Sequence, residues 1–336
     1  MQKSQLHFHY PPHLIATERK THSRVMYVQG EEPVEVTLSY LLTQIEPHDL
    51  LVINDTKVIK ARVISDEGME VLFIEPHGEQ EWSVLCPVRK WPKNQKLEMP
   101  GGLELELLEK GRPQKVRTST PIDENYFAQY GDIPLPPYIQ EARGERRSRH
   151  SDDHQYQTAW AQKLGSLAAP TASLHFSMED IRKIKSRGAE VKSLCLHVGL
   201  GTFLPIQAES IDEHLMHSEF VSIPKETWQA VMECKSRGGK VWALGSTVTR
   251  ALESMAQSRF TEEEDSYQGG TDLFIKPGFS FEVVDVLMTN FHQPESTLLA
   301  MVMAFAGEEV VKKNYQWAIE RNFRLFSYGD LSVWRK

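Results

Sequence analysis

The chain has 336 residues, 40% hydrophobic and 25% charged, which fits a globular protein of two domains and excludes a disordered one. No apolar run approaches the roughly 18 residues needed to cross a bilayer, and the polar, histidine-rich N-terminus has no signal-peptide core, so a cytoplasmic protein with no membrane partner is expected. Three widely spaced cysteines, Cys86, Cys195 and Cys234, exclude a disulfide framework, and a net charge of -8 excludes a generally basic surface, leaving any RNA contact to a local patch.

In chain order, residues 38–45 have helical spacing with Thr37 as a candidate N-cap. Leu50-Leu51-Val52-Ile53 follows as a short buried strand running into the polar turn Asn54-Asp55-Thr56. Between residues 63 and 122 the texture changes to short, partly alternating segments (69–75, 81–87, 103–108) separated by Gly, Pro or Asn. This pattern predicts an inserted antiparallel β domain, a small barrel or sandwich. Residues 144–154 are dense in charge and form an exposed loop. Its arginines, Arg143, Arg146, Arg147 and Arg149, are either solvated or placed on RNA phosphates.

After Tyr156 helices and strands alternate. Residues 178–187 form an amphipathic helix capped by Ser177 and ended by Gly188. Strands are expected at 191–198, 240–244, 273–275 and 283–288, and helices at 225–236, 246–258, 296–306 and 308–322. Strand–turn–helix repetition implies an α/β domain whose ligand groups gather at strand ends. The fold class is therefore α/β: a mixed-sheet main domain (1–62 and 150–336) interrupted by a small antiparallel unit (63–149).

Polar groups recur where apolar strands end. They are Asn54-Asp55-Thr56, the segment from Thr171 to His175, the turn from His197 to Thr202, Gly245-Ser246-Thr247, the turn from Asn290 to His292, and Tyr328-Gly329-Asp330. The Gly245 turn before a helix suits a carboxylate or phosphate, although Gly-Ser-Thr is also a routine helix start. His197-x-Gly-x-Gly-Thr lacks the lysine of a phosphate loop and the third glycine of a dinucleotide fingerprint. Among thirteen histidines, His175, His197 and His292 lie at strand-end turns. His214, His217 and Glu219 lack further ligands for a metal, and no metal or redox cofactor is expected.

These segments together resemble the S-adenosylmethionine:tRNA ribosyltransferase-isomerase family of queuosine biosynthesis. The resemblance is carried by LLVINDTKVIKAR (50–62), LPPYI (135–139), YQT (156–158), GSLAAPTASLHF (165–176), LHVGLGTFLPI (196–206) and HLMHSE (214–219). It continues through ALGSTVTRALES (243–254), the long stretch 271–307 containing TNFHQPEST, and SYGD (327–330). Departures fall on substrate-facing turns: Lys57 stands for Arg, Lys60 for Pro, Ser173 for Gly, Ser246 for Thr and Leu200 for Ala.

The resemblance implies an α/β domain interrupted by an inserted β-barrel. It implies an enzyme that moves and isomerises the ribosyl part of S-adenosylmethionine onto a 7-aminomethyl-7-deazaguanine at the tRNA wobble position. Epoxyqueuosine-tRNA, adenine and methionine would be the products. The partners are then tRNA and S-adenosylmethionine, the latter consumed rather than retained as a cofactor, and a monomer is expected. Such chemistry asks for a base, a proton donor to adenine and electrostatic cover for the sulfonium.

His175 or His197 is expected to serve as the acid–base group, with Asp55 orienting a histidine or holding the acceptor amine. Thr202, Ser246, Thr247 and Arg250 are candidates for the methionine carboxylate or ribose, and Asn290 and His292 for a nucleobase. Tyr328 and Asp330 would close the pocket, with Asn54, Thr56 and Thr171 as further binding groups. RNA contacts are expected from Lys57, Lys60, Arg62 and the arginine loop. The alternatives are a transferase on the same scaffold with another nucleobase or small-molecule acceptor, and a non-catalytic RNA-binding relative.

Overall fold

A computed structural model describes residues 1–91, 96–145, 147–199, 201, 206 and 208–336. Its frame is a ten-stranded mixed sheet. Four strands at its centre, Glu190–Leu196, Leu50–Asn54, Val241–Leu244 and Val286–Asn290, are adjacent and parallel. Leu331–Arg335 then pairs antiparallel with Val286–Asn290 and parallel with Val25–Gln29. On the other flank Glu219–Pro224 and Ser266–Thr271 continue antiparallel from Glu190–Leu196.

The central strands are continuous apolar runs because both of their faces are buried. Leu50 and Val52 point into one core with Val241, Ala243 and Leu287. Leu51 and Ile53 point into the opposite core with Trp242, Leu244, Val286 and Met288. The first core is covered by helices Lys225–Ser236, Ser246–Ala256, Thr297–Ala306 and Glu308–Glu320, and the second by Leu38–Thr43 and Met178–Ser186. The expected caps form: the Thr37 side chain accepts from the Tyr40 amide, and Ser177 makes a capping box with Asp180.

The inserted β region is a seven-stranded antiparallel sheet running from Arg62–Ile64 to Gly131–Asp132. It is curled over a core in which Phe73, Trp82 and Phe127 meet edge to face at 5.3–5.6 Å. Among the described residues its outer strands, Leu97–Met99 and Gly131–Asp132, do not pair with each other. The expected barrel is therefore an open half-barrel. Closure depends on how far the strands coil and tilt, which the alternation of apolar residues does not encode. Past this sheet, Ile133, Leu135 and Ile139 pack into the main core.

The strand expected at 273–275 is absent. Leu273 and Ile275 are instead buried against Met301 as an irregular segment, and the strand forms just before it at Ser266–Thr271. None of the described helices is long and apolar enough to cross a membrane.

Candidate active site

The four parallel strands end on the same edge of the sheet, so the turns that follow them are brought together. A cleft of about 780 Å³, counted to its open mouth, opens there. Gly245, Ser246 and Thr247 form its floor, with Thr289, Asn290, Phe291 and His292 beside them. Residues 168–172, Pro137, Tyr138, Tyr156, Phe326 and Ser327 complete the walls. Among the described lining residues none carries a formal charge.

Gly245 has φ +109° and ends its strand in a conformation that favours glycine, so helix Ser246–Ala256 begins directly at the cleft. No side chain caps this helix, and its first amides are open to an anionic group. The Asn54 amide clamps the floor from behind. Its nitrogen donates to the Leu196 carbonyl at 2.9 Å and to Thr247 Oγ1 at 3.3 Å, while its oxygen accepts from the amides of Thr56 and Leu196. Asn54 is thus used within the protein and does not line the cleft.

Asn290 is set by a chain of hydrogen bonds. Thr171 Oγ1 donates to Asn290 Oδ1 at 2.9 Å, and Asn290 Nδ2 lies 3.1 Å from His175 Nε2. The other ring nitrogen of His175 lies 2.5 Å from Ser23 Oγ. Because the amide nitrogen can only donate, Nε2 accepts and the proton of His175 is on Nδ1. Burial, with Arg324 and Arg19 nearby, pushes the His175 imidazolium down to about 3. His292 lines the cleft with Nε2 at 2.7 Å from Thr289 Oγ1, its backbone amide donates to the Tyr315 hydroxyl, and burial pushes it also to about 3. Both rings are neutral at physiological pH.

Both folded values lie below the ordinary 6.5, so the unfolded chain binds more protons than the folded one between these limits. Stability from these rings is complete above pH 6.5 and is lost as pH falls towards 3, approaching about 1.4 kcal/mol per pH unit for each. Urea unfolding at pH 7 and pH 5 should show the loss, and His292→Gln should reduce the slope. An equal midpoint at both pH values would contradict the neutral burial of these rings.

His197 belongs to a separate group on the same sheet edge. Thr56 Oγ1 is 2.8 Å from its Nδ1, Cys195 Sγ is 3.7 Å away, and the ring stacks on Phe220. A Cβ on Gly165 would lie 2.8 Å from Nε2, so glycine there leaves room for the ring. Burial lowers the His197 pKa, against the opposing pull of Asp55, with Lys163 adding to the lowering. Asp55 accepts from Ser193 Oγ at 3.3 Å and faces Lys163 Nζ at 3.5 Å, while its buried Oδ1 has no hydrogen-bond partner. Burial pushes the Cys195 thiol up to about 11, which leaves it protonated.

Of the residues expected to bind substrate, Thr171, Ser246, Thr247, Asn290 and His292 line the cleft. Arg250 does not: its guanidinium is buried against Glu219 and donates to the carbonyls of Leu273 and Thr271, both at 3.2 Å. Tyr328 donates to Asp152, and Asp330 accepts from the amides of Arg24 and Arg324 and pairs with the Arg324 side chain. These groups hold the segments that carry the walls. Thr202 and Arg146 lie outside the described residues.

Among the residues expected on RNA, Arg143 is buried in a two-pronged pair with Asp152 (2.7 and 2.9 Å), and Arg149 pairs with Glu145. Lys60 pairs with Asp153, and Arg62 with Glu70. Lys57 and Arg147 are exposed. The aromatic walls, Tyr138, Tyr156, Phe291 and Phe326, escaped the search for polar strand ends. The signal was present, because LPPYI, YQT and TNFH contain three of them. Among the described residues no cluster of His, Cys, Asp and Glu is arranged to hold a metal.

Fold and cleft together define an α/β protein with a cleft at the carboxyl edge of its parallel strands. The chain belongs to the family described as queuosine biosynthesis protein, whose profile matches residues 3–333. It is 42% identical to an S-adenosylmethionine:tRNA ribosyltransferase-isomerase of Citrifermentans bemidjiense, over 97% of this chain and 98% of that one. It is 39% identical to the protein of the same name from Thermotoga maritima, over 98% of each. The crystal structure of S-adenosylmethionine tRNA ribosyltransferase from Thermotoga maritima is similar with a TM-score of 0.56 and 31% identity, covering 98% of this chain and 99% of that one.

Proposed function

We propose that this chain transfers and isomerises the ribosyl moiety of S-adenosylmethionine onto 7-aminomethyl-7-deazaguanine at the wobble position of tRNA. Family membership supports the class of reaction. The observation that carries the cleft assignment is its electrostatic character: an uncapped helix start in a pocket whose described lining has no formal charge and several aromatic rings. The amino-acid tail of the donor would place its carboxylate at the amides of Ser246 and Thr247. Its sulfonium would meet the aromatic rings, which attract cations once water is excluded. The adenine would face Asn290, Thr171 and neutral His292.

The sulfonium acidifies the adjacent ribose C–H, and a base takes that proton. The bond from ribose to adenine breaks, and adenine leaves carrying a proton. The ribose ring C–O bond opens as adenine departs, and the neutral acceptor amine bonds to a carbon of the opened chain, losing one proton. The deprotonated carbon uses its pair to close a carbon–carbon bond, and the C–S bond breaks as the freed oxygen closes the epoxide, releasing methionine. One proton is released overall. We assign the acid–base role to His197, whose ring is neutral and close to the Asp55 charge. Both nitrogens of His175 are occupied, and its role is to position Asn290.

The reaction as written consumes S-adenosylmethionine and needs no retained cofactor. A cytoplasmic monomer, with the curled sheet as an inserted unit at 63–149 interrupting a discontinuous α/β unit, belongs to the same reading. Its test is a single-turnover assay with wild-type protein, S-adenosylmethionine and either precursor tRNA or the free deazaguanine. Adenine release with tRNA alone is expected. Release with the free base at an equal rate would move the acceptor to a small molecule, and no release with either would sink the catalytic reading.

A further inference from the structure

A second cavity, about 2310 Å³ counted to its open mouth, runs between the curled sheet and the segment from Pro134 to Arg147 that follows it. Pro137 lines both this groove and the active-site cleft, so the LPPYI segment is the partition between them. Leu135 is on the groove side and Tyr138 on the cleft side. Although the chain as a whole is acidic, the groove gathers Arg62, Lys90, Arg112 and Arg147 against only Glu67 and Glu70.

The state of these cations separates them from the rest of the surface. Lys60, Arg143 and Arg149 are neutralised by ion pairs. Lys90, Arg112 and Arg147 are exposed, and none is in an ion pair among the described residues. Arg62, buried in the groove wall, donates Nη2 to Glu70 at 2.9 Å, while its Nη1 and its Nε, the latter 2.7 Å from the same carboxylate, have no hydrogen-bond partner. An uncompensated positive trough beside a neutral cleft is suited to a polyanion that must deliver one base across the partition.

We propose that this groove holds the phosphates of the RNA strand flanking the target nucleotide, with Lys90, Arg112 and Arg147 as its contacts. The LPPYI segment then separates the strand from the base that is turned into the cleft. The proposal rests on the reading that tRNA is the acceptor. Base modification of an RNA loop requires the base to leave its stack while its backbone stays held, and the shared wall provides both positions.

The test uses the full chain, unmodified tRNA and fluorescence anisotropy across a salt series, with S-adenosylmethionine binding followed by calorimetry. Lys90→Glu/Arg112→Glu/Arg147→Glu should weaken tRNA binding at least about tenfold at low salt and reduce the slope of log K against log salt by about 2–3. Its affinity for S-adenosylmethionine should be unchanged. Arg182→Glu/Lys185→Glu, on an exposed helix outside the groove, should leave tRNA binding unchanged. The milder Arg147→Gln, which should shift the slope by a little under 1, keeps the test open if the triple variant misfolds.

An unaltered salt slope in both groove variants, an equal loss in the Arg182/Lys185 variant, or no tRNA binding by the wild type would overturn the assignment. Because binding is read separately from turnover, the two readings can fail separately. Wild-type binding through the groove without adenine release would sink the catalytic reading alone. Turnover with an unaltered slope would sink the groove alone.

Discussion

Glu219→Ala is expected to cost about 3–5 kcal/mol of folding stability, because it leaves the Arg250 guanidinium buried without its counter-charge. Both side chains are almost fully buried: 4% of Arg250 and 2% of Glu219 is exposed. Glu219 also accepts from the Gly199 amide at 2.8 Å, so that amide loses its acceptor in the same variant. The paired replacement Glu219→Leu/Arg250→Met removes both charges and should recover more than half of the loss. Chemical denaturation of the wild type, Glu219→Leu, Arg250→Met and the double variant completes a double-mutant cycle that measures the coupling. A loss below about 1 kcal/mol in Glu219→Ala would mean that water reaches the pair, as it does for exposed pairs.

The second large effect is on catalysis. His175→Ala should lower kcat/KM for S-adenosylmethionine by about 100-fold, since misplacement of a binding group by about an ångström costs that much. Among the described residues the ring's polar contacts are Ser23 and Asn290, so its deletion frees the Asn290 amide to turn. His175→Gln retains an acceptor for Asn290 and a donor for Ser23, and most activity should return. A general base would behave differently, because glutamine would be as inactive as alanine. The acid limb of the rate profile should also be the same in wild type and His175→Gln, since burial keeps His175 neutral down to about pH 3. A changed limb would return the base role to His175.

The central strands and their polar ends were legible in the sequence because continuous apolar runs such as Leu50-Leu51-Val52-Ile53 require burial on both faces. The order of the strands brings those ends together, and that follows from the parallel α/β pattern. The capping residues Thr37 and Ser177 were equally readable, since a cap is a local interaction.

What was not legible is long-range. Arg250 follows a ligand-like Gly-Ser-Thr turn, but its partner Glu219 is 31 residues away, and nothing local distinguishes an arginine aimed at a ligand from one aimed into the core. Arg143 in its charged loop is a similar case: the neighbourhood reads as solvated, and only the tertiary fold buries it against Asp152 and the Thr17 carbonyl. Asp330 and Tyr328 are polar residues in a strand-end turn that hold neighbouring segments rather than face the cleft. His175 and His197 fall in two hydrogen-bonded groups, a separation that sequence spacing does not carry.

The central claim is that S-adenosylmethionine gives its ribosyl part and not its methyl group. Parallel reactions with ribose-labelled and methyl-labelled S-adenosylmethionine and precursor tRNA test it most directly. Ribose label should appear in the tRNA, with adenine released in equal amount, and the methyl label should leave as methionine. Methyl label in the tRNA, with ribose label recovered in a thioether nucleoside, would contradict the account.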